Sequence, residues 1–147
     1  MKVKGVPIYR GQCADNGKWV YGELSRRRCG SNEVCVIKVD DFYGDGVEYW
    51  VKPETVDEYT QFKDHHGVKI FENDILQCRD LDKDKDLYAI VIKEHYSDWC
   101  QWALLRINEN HINLDIAEWV NSKNPNIYAN VIGSIHNNFE LLKGVGL

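Results

Sequence analysis

The chain has 147 residues, of which 44% are hydrophobic and 28% charged, and its net charge is −5. That length holds one domain with a core of its own, and the composition excludes disordered and membrane-embedded classes. The acidic balance argues against a protein that coats nucleic acid by counterion release, leaving a single basic face as the way such binding would enter.

Short runs rich in Tyr, Trp, Val and Ile, separated by turn chemistry, predict a mostly β chain. Ile8, Tyr9 and Arg10 read as a first strand. Asp15-Asn16-Gly17-Lys18 reads as the turn, because Asn and Gly tolerate positive φ, and Trp19 to Leu24 returns. Arg26 to Asn32 reads as a polar loop. A second hairpin follows from Glu33 to Val39 and Val47 to Val51, with the acidic, glycine-bearing stretch Asp40 to Gly46 between. Pro53 opens one or two helical turns, with Glu54 in the first turn and Val56 and Tyr59 on one side.

Ile70-Phe71, Ile75 to Cys78, Leu87 to Tyr96 and Trp99 to Ile107 form a second strand set. Within the third, Tyr88, Ile90 and Ile92 fall on one face and Ala89, Val91 and Lys93 on the other. Ser97-Asp98 joins it to Trp99 as a long hairpin. From Ile112 the pattern fits both periods. A helix is favoured, because Ala117 and Glu118 are good helix formers and Asn124-Pro125 supplies a stop. Ile127 to Ile135 is a last strand and Phe139 to Leu142 a terminal helical turn. One domain over 1–147 is expected; the alternative subdivision is 1–52, a layer of β-hairpins, and 53–147, a barrel-like unit.

No constellation of catalytic or metal-binding residues emerges. His65 and His66 are adjacent, and neighbours in a strand or helix diverge too far to share one ligand. Lys63-Asp64-His65-His66-Gly67 is instead turn chemistry, with Asp64 accepting backbone hydrogen bonds and Gly67 taking positive φ. Asp80 to Asp86 alternates acids like a calcium loop. Counted from Asp80, however, it has Lys85 where the turn needs glycine and Val91 where a bidentate glutamate belongs. The five cysteines, Cys13, Cys29, Cys35, Cys78 and Cys100, are odd in number, form no Cys-x-x-Cys pair and fit a reducing compartment. His95, His111 and His136 have no local motif that would pair them with a nucleophile. Gly44-Asp45-Gly46 lacks the third glycine and the helix of a phosphate loop. Arg26, Arg27 and Arg28, with Lys18, Trp19 and Tyr21 nearby in sequence, are the one candidate nucleic-acid contact.

No apolar run approaches the roughly 18 residues of a membrane span, and no apolar segment follows Lys2 and Lys4 as a signal peptide would require. A cytoplasmic site of action is expected, with no membrane partner and no cofactor.

A family resemblance is carried by the order and spacing of several segments. They are Gly17-Lys18-Trp19-Val20-Tyr21-Gly22, the run Pro53-Glu54-Thr55-Val56 with Tyr59-Thr60, Lys63-Asp64, Gly67, Lys69-Ile70-Phe71-Glu72 and Asp74-Ile75, and Val131 to Asn138 with Glu140-Leu141-Leu142. Together they resemble the YopX family of phage and prophage proteins. Gln61-Phe62 departs from the glycine and aliphatic residue usual there. Asn73 replaces a glycine, as the residue next best suited to positive φ.

The resemblance implies a YopX-like pseudo-barrel, SH3-like or PRC-barrel-like, with an N-terminal hairpin layer and short capping helices. It implies no catalytic residue, so Pro53, Glu54, Asp64, Gly67, Asp74 and Gly133 are carried as structural motif positions. The expected function is a non-enzymatic protein-interaction module in the bacterial host cytoplasm. Its partner would be a host or phage protein, with self-association open. Nucleic-acid binding by a small barrel ranks second and a metal-dependent enzyme third.

Overall fold

The computed structural model describes residues 8–40, 46–95, 97–107 and 114–138. In chain order they form β1 (Tyr9–Gln12), β2 (Trp19–Cys29), β3 (Asn32–Val39), β4 (Val47–Val51), a 3-10 turn (Pro53–Thr55), β5 (Asp57–Lys63), β6 (Lys69–Phe71), β7 (Asp74–Asp80), β8 (Lys85–His95), β9 (Cys100–Arg106), β10 (Leu114–Asp115), α1 (Ile116–Val120) and β11 (Ile127–Ser134). One sheet has six strands in the order β4-β3-β2-β1-β5-β6, the other five in the order β10-β9-β8-β7-β11. The mostly β reading holds. The barrel does not close: both sheets are open among the described residues, and the two ends of each strand order do not pair. The expected capping helices reduce to one 3-10 turn and one short α-helix among these residues, and the turn expected at 139–142 lies outside them. No helix of the described chain is long and apolar enough to cross a membrane.

The chain divides into two units, Met1–Tyr59 and Thr60–Leu147, the division falling within β5. In the first, Asn16-Gly17 turns β1 into β2. Gly17 sits at φ +71, Lys18 N donates to Asn16 Oδ1 (2.9 Å), and Gln12 pairs with Trp19. β2 and β3 then pair from Glu23 opposite Lys38 to Cys29 opposite Asn32. Gly22 is buried where a Cβ would collide with the Lys38 carbonyl oxygen, so only glycine allows this approach. Alternation sends Cys35, Ile37 and Val51 into a small core with Leu24, Val20 and Tyr9. The pair Arg10–Asp57 (3.0 Å) is buried beside it, and the Arg10 guanidinium lies 4.5 Å from the Trp19 ring centroid. At the end of β4, Cys13 bridges Val51, Ala14 N donates to Trp50 O and Lys52 N to Gln12 O, both at 2.9 Å.

In the second unit the core takes Leu87, Ala89 and Val91 from β8, Leu76 and Cys78 from β7, and Leu104, Ile116, Ala129 and Ile70 from their neighbours. Tyr88 and Ile90, on the opposite face of β8, pack with Ile75 and Ile107 instead. The β8–β9 hairpin runs as expected, from Ala89 opposite Arg106 to His95 opposite Cys100. The ambiguous stretch splits. Leu114–Asp115 is strand, and Asp115 accepts from Ala117 N (3.0 Å) as the cap of a helix that lasts only to Val120. Asn73 takes φ 69, as its replacement of glycine requires, and Gln61 takes φ 73 at the other departure.

Candidate functional site

β4 ends the six-stranded sheet and is exposed along four of its five residues, with Val47 46%, Tyr49 38% and Trp50 56% accessible. Its register with β3 puts Val47 beside Val39 and Tyr49 beside Ile37 on one face, and Glu48 beside Lys38 and Trp50 beside Val36 on the other. The strand therefore shows apolar side chains on both faces. Because Trp50 O and Lys52 N bond away from β3, the backbone groups of Glu48 share that outer side.

Edge strands are ordinarily blunted by charge, proline or a bulge. Glu48 is the one charge on β4, and Arg27 grips it from β2, with Nη2 donating to Oε1 (3.0 Å) and Nη1 2.9 Å from Oε2. That hydrogen bond holds the Glu48 carboxyl below its ordinary value; burial opposes it, and the charges of Arg27 and Lys38 add smaller effects in the lowering direction. The same bond raises Arg27.

The arginine triplet is not a loop. Arg26, Arg27 and Arg28 lie in β2 opposite Cys35, Val34 and Glu33, and the turn comes later at Gly30-Ser31. Alternation sends Arg27 to one face and its two neighbours to the other. Arg26 Nη1 lies 3.4 Å from Glu33 Oε1 and 3.6 Å from Cys35 Sγ, so two of the three are already engaged with carboxylates. Glu33, opposite Arg28, and Glu48, opposite Lys38, reach Arg26 and Arg27 diagonally, and an exposed strand face alternates charges as readily as a loop does.

The motif positions are structural joints. Pro53 starts the 3-10 turn, Glu54 is exposed in it, and Thr55 Oγ1 donates to Lys52 O (2.7 Å) and accepts from Gln12 N (2.9 Å). In the second unit Asp64 is buried. Its Oδ1 accepts from His66 N (2.8 Å) and Val68 N (2.9 Å), and its Oδ2 from Val131 N (2.9 Å). His65 N donates to Ala129 O (3.0 Å), and Gly67 takes φ +81, so the tip of the turn is tied to β11. Asp74 Oδ2 accepts from Phe71 N (2.8 Å) in the bend between β6 and β7. Gly133 sits at the irregularity in β11, where a Cβ would come within 2.5 Å of Asn138 Oδ1.

His65 and His66 are exposed, their rings edge to face at 5.3 Å, and His65 also meets the Tyr128 ring at 5.0 Å. A cleft of about 160 Å³ lies beside His65, walled by Trp119, Pro125 and Tyr128. Asp80 Oδ1 accepts from Asp82 N (3.0 Å) and Lys83 N (3.3 Å). The Asp82 carboxylate accepts from Asn124 Nδ2 (2.8 Å) and Asn126 Nδ2 (2.7 Å), which ties the acidic hairpin to the loop before β11. No three His, Cys, Asp or Glu side chains gather as metal ligands among the described residues. The five cysteines are free. Cys29 and Cys100 are exposed, and burial pushes the Cys78 thiol up to about 12. His111 lies outside the described residues.

Residues 8–143 match the family model described as YopX protein. No curated protein matches the chain.

Proposed function

The chain belongs to the YopX family, and from that premise we propose that it is a phage or prophage accessory protein acting as a non-enzymatic protein-interaction module in the host cytoplasm. Its partner, a host or phage protein, adds an extended segment to β4. The observation that carries this reading is β4 itself, an edge strand with exposed apolar residues on both faces and its only charge occupied by Arg27. Such an edge offers backbone hydrogen bonds for affinity and alternate side chains for specificity. The Cys13–Val51 bridge links the end of β4 to the residue after β1. Self-pairing is disfavoured. With Trp50 O engaged by Ala14, antiparallel pairing of two copies centres on Glu48 and sets like charges opposite. Nucleic-acid binding is less well supported, because the arginines diverge and two of them contact glutamates.

The test places a photo-crosslinking phenylalanine at Tyr49 and, as control, at Leu81, in cells that carry the phage. One protein adduct specific to the Tyr49 position is expected, and Glu48→Pro abolishes it while leaving the melting temperature near that of the parent. Proline is tolerated here because the lost N–H points outward from an edge. Equal adducts at both positions, or an adduct that survives Glu48→Pro, would refute the reading. Salt-sensitive oligonucleotide binding lost in Arg26→Glu/Arg27→Glu would replace it with the nucleic-acid alternative.

A further inference from the structure

We infer that Asn16 is a site of spontaneous deamidation, and that its conversion loosens the brace at the end of β4. Of all the asparagines in the sequence, Asn16 alone is followed by glycine. It is exposed at the β1–β2 turn, and open space surrounds the position where Gly17 lacks a Cβ, so no neighbouring side chain crowds the five-membered ring that attack would form there. The Asn16 side chain is folded back over its own backbone, and its Oδ1 accepts from Lys18 N (2.9 Å), which polarises the amide carbonyl toward attack.

The reaction needs only water and base. Base removes the Gly17 amide proton and the nitrogen attacks Asn16 Cγ. The new C–N bond closes a five-membered imide as the Cγ–Nδ2 bond breaks, and the nitrogen leaves as ammonia after taking up a proton. Water then opens the imide at either carbonyl. The product is aspartate, or isoaspartate with an extra methylene in the main chain, and one ammonia has been exchanged for one water. Gly17 N donates to Cys13 O (2.9 Å), so the turn must open before attack. The folded protein therefore converts more slowly than the free segment. The consequence reaches β4, because the same turn supplies Ala14 N to Trp50 O (2.9 Å) and the Cys13–Val51 bridge.

The purified protein and a synthetic peptide covering 14–19 are aged side by side in mildly alkaline buffer, digested and mapped by mass. Isoaspartate is detected by enzymatic methylation. Asn16 is expected to convert ahead of every other asparagine, more slowly than in the peptide, with Asn16→Gln unchanged over the same period. Amide exchange at Ala14 is expected to be faster in aged than in fresh protein. Asn16 still intact when the peptide is fully converted, or another asparagine converting first, would overturn the site. Unchanged Ala14 exchange in converted protein would overturn the link to β4.

Discussion

Removing the Asp64 carboxylate should unfasten the β5–β6 turn from β11. Three backbone donors, His66 N, Val68 N and Val131 N, depend on it at 2.8–2.9 Å. Hydrogen bonds to a charged group contribute about 1.5–3 kcal/mol each. His66 and Val68 are exposed, so water replaces part of what they lose and the lower figure applies. Asp64→Ala should then cost about 4–5 kcal/mol, a large share of an ordinary folding stability of about 5–15 kcal/mol. Asp64→Asn keeps one acceptor oxygen but turns an NH2 toward the donors of the other, and should cost about 2–3 kcal/mol. Urea unfolding followed by tryptophan fluorescence measures both, since Trp102 and Trp119 pack on the core of the same unit. Hydrogen exchange at the Val131 amide separates the long-range bond from the local two. A loss below about 1 kcal/mol for Asp64→Ala, with an unchanged denaturant slope, would refute the reasoning.

Gln61→Gly should stabilise by about 0.5–1 kcal/mol: a left-handed L-residue costs about 1–2 kcal/mol, and the freedom glycine regains on unfolding offsets part of that. A lower urea midpoint would contradict it. Gly22→Ala should destabilise by about 1–3 kcal/mol through the clash with Lys38 O, read as a drop in melting temperature. Native-state alkylation should mark Cys29 and Cys100 and spare Cys78; mass mapping that finds Cys78 labelled first would contradict its burial. Because the folded Cys78 thiol titrates near 12 against about 9 unfolded, the unfolded state loses its proton first, and stability should fall from about pH 9 upward by about 1.4 kcal/mol per pH unit, a slope Cys78→Ala removes. Asp82 shifts the other way. Its bonds from Asn124 and then Asn126 lower its value, so its contribution is present at neutral pH and is lost as pH falls through the carboxylate range, which NMR titration of the Asp82 carboxyl would follow.

The local rules carried well where one segment decides its own shape. Asn16-Gly17 demands the turn it makes, Pro53 starts its 3-10 turn, and the alternation in β8 separates the face of Ala89 and Val91 from that of Tyr88 and Ile90, although which face lies in the larger core is read only from the structure. Asp64 was legible as a turn residue, because acceptance from His66 and Val68 is local. Its bond to Val131, 67 positions away, leaves no mark in a window of sequence. The arginine triplet misled because a solvent-facing strand and a loop share a composition, and only the pairing with Glu33 and Val34 decides. The place of β4 at the sheet edge was hidden for a related reason: strand order is a property of all the pairings together.

The pairing of β7 with both β8 and β11 sets a timetable for the chain as it is made. β8 follows β7 within a short hairpin and can zip onto it at once. The other side of β7 waits until residues 127–134 have emerged, so at every earlier moment of synthesis β7 is an unprotected edge carrying Ile75, Leu76 and Cys78. A nascent chain stalled before Ile127 is therefore expected to bind holdase chaperones, and one released after residue 138 to shed them. The Asp64 carboxylate, already made and placed in its turn, is what the late strand finds waiting at Val131.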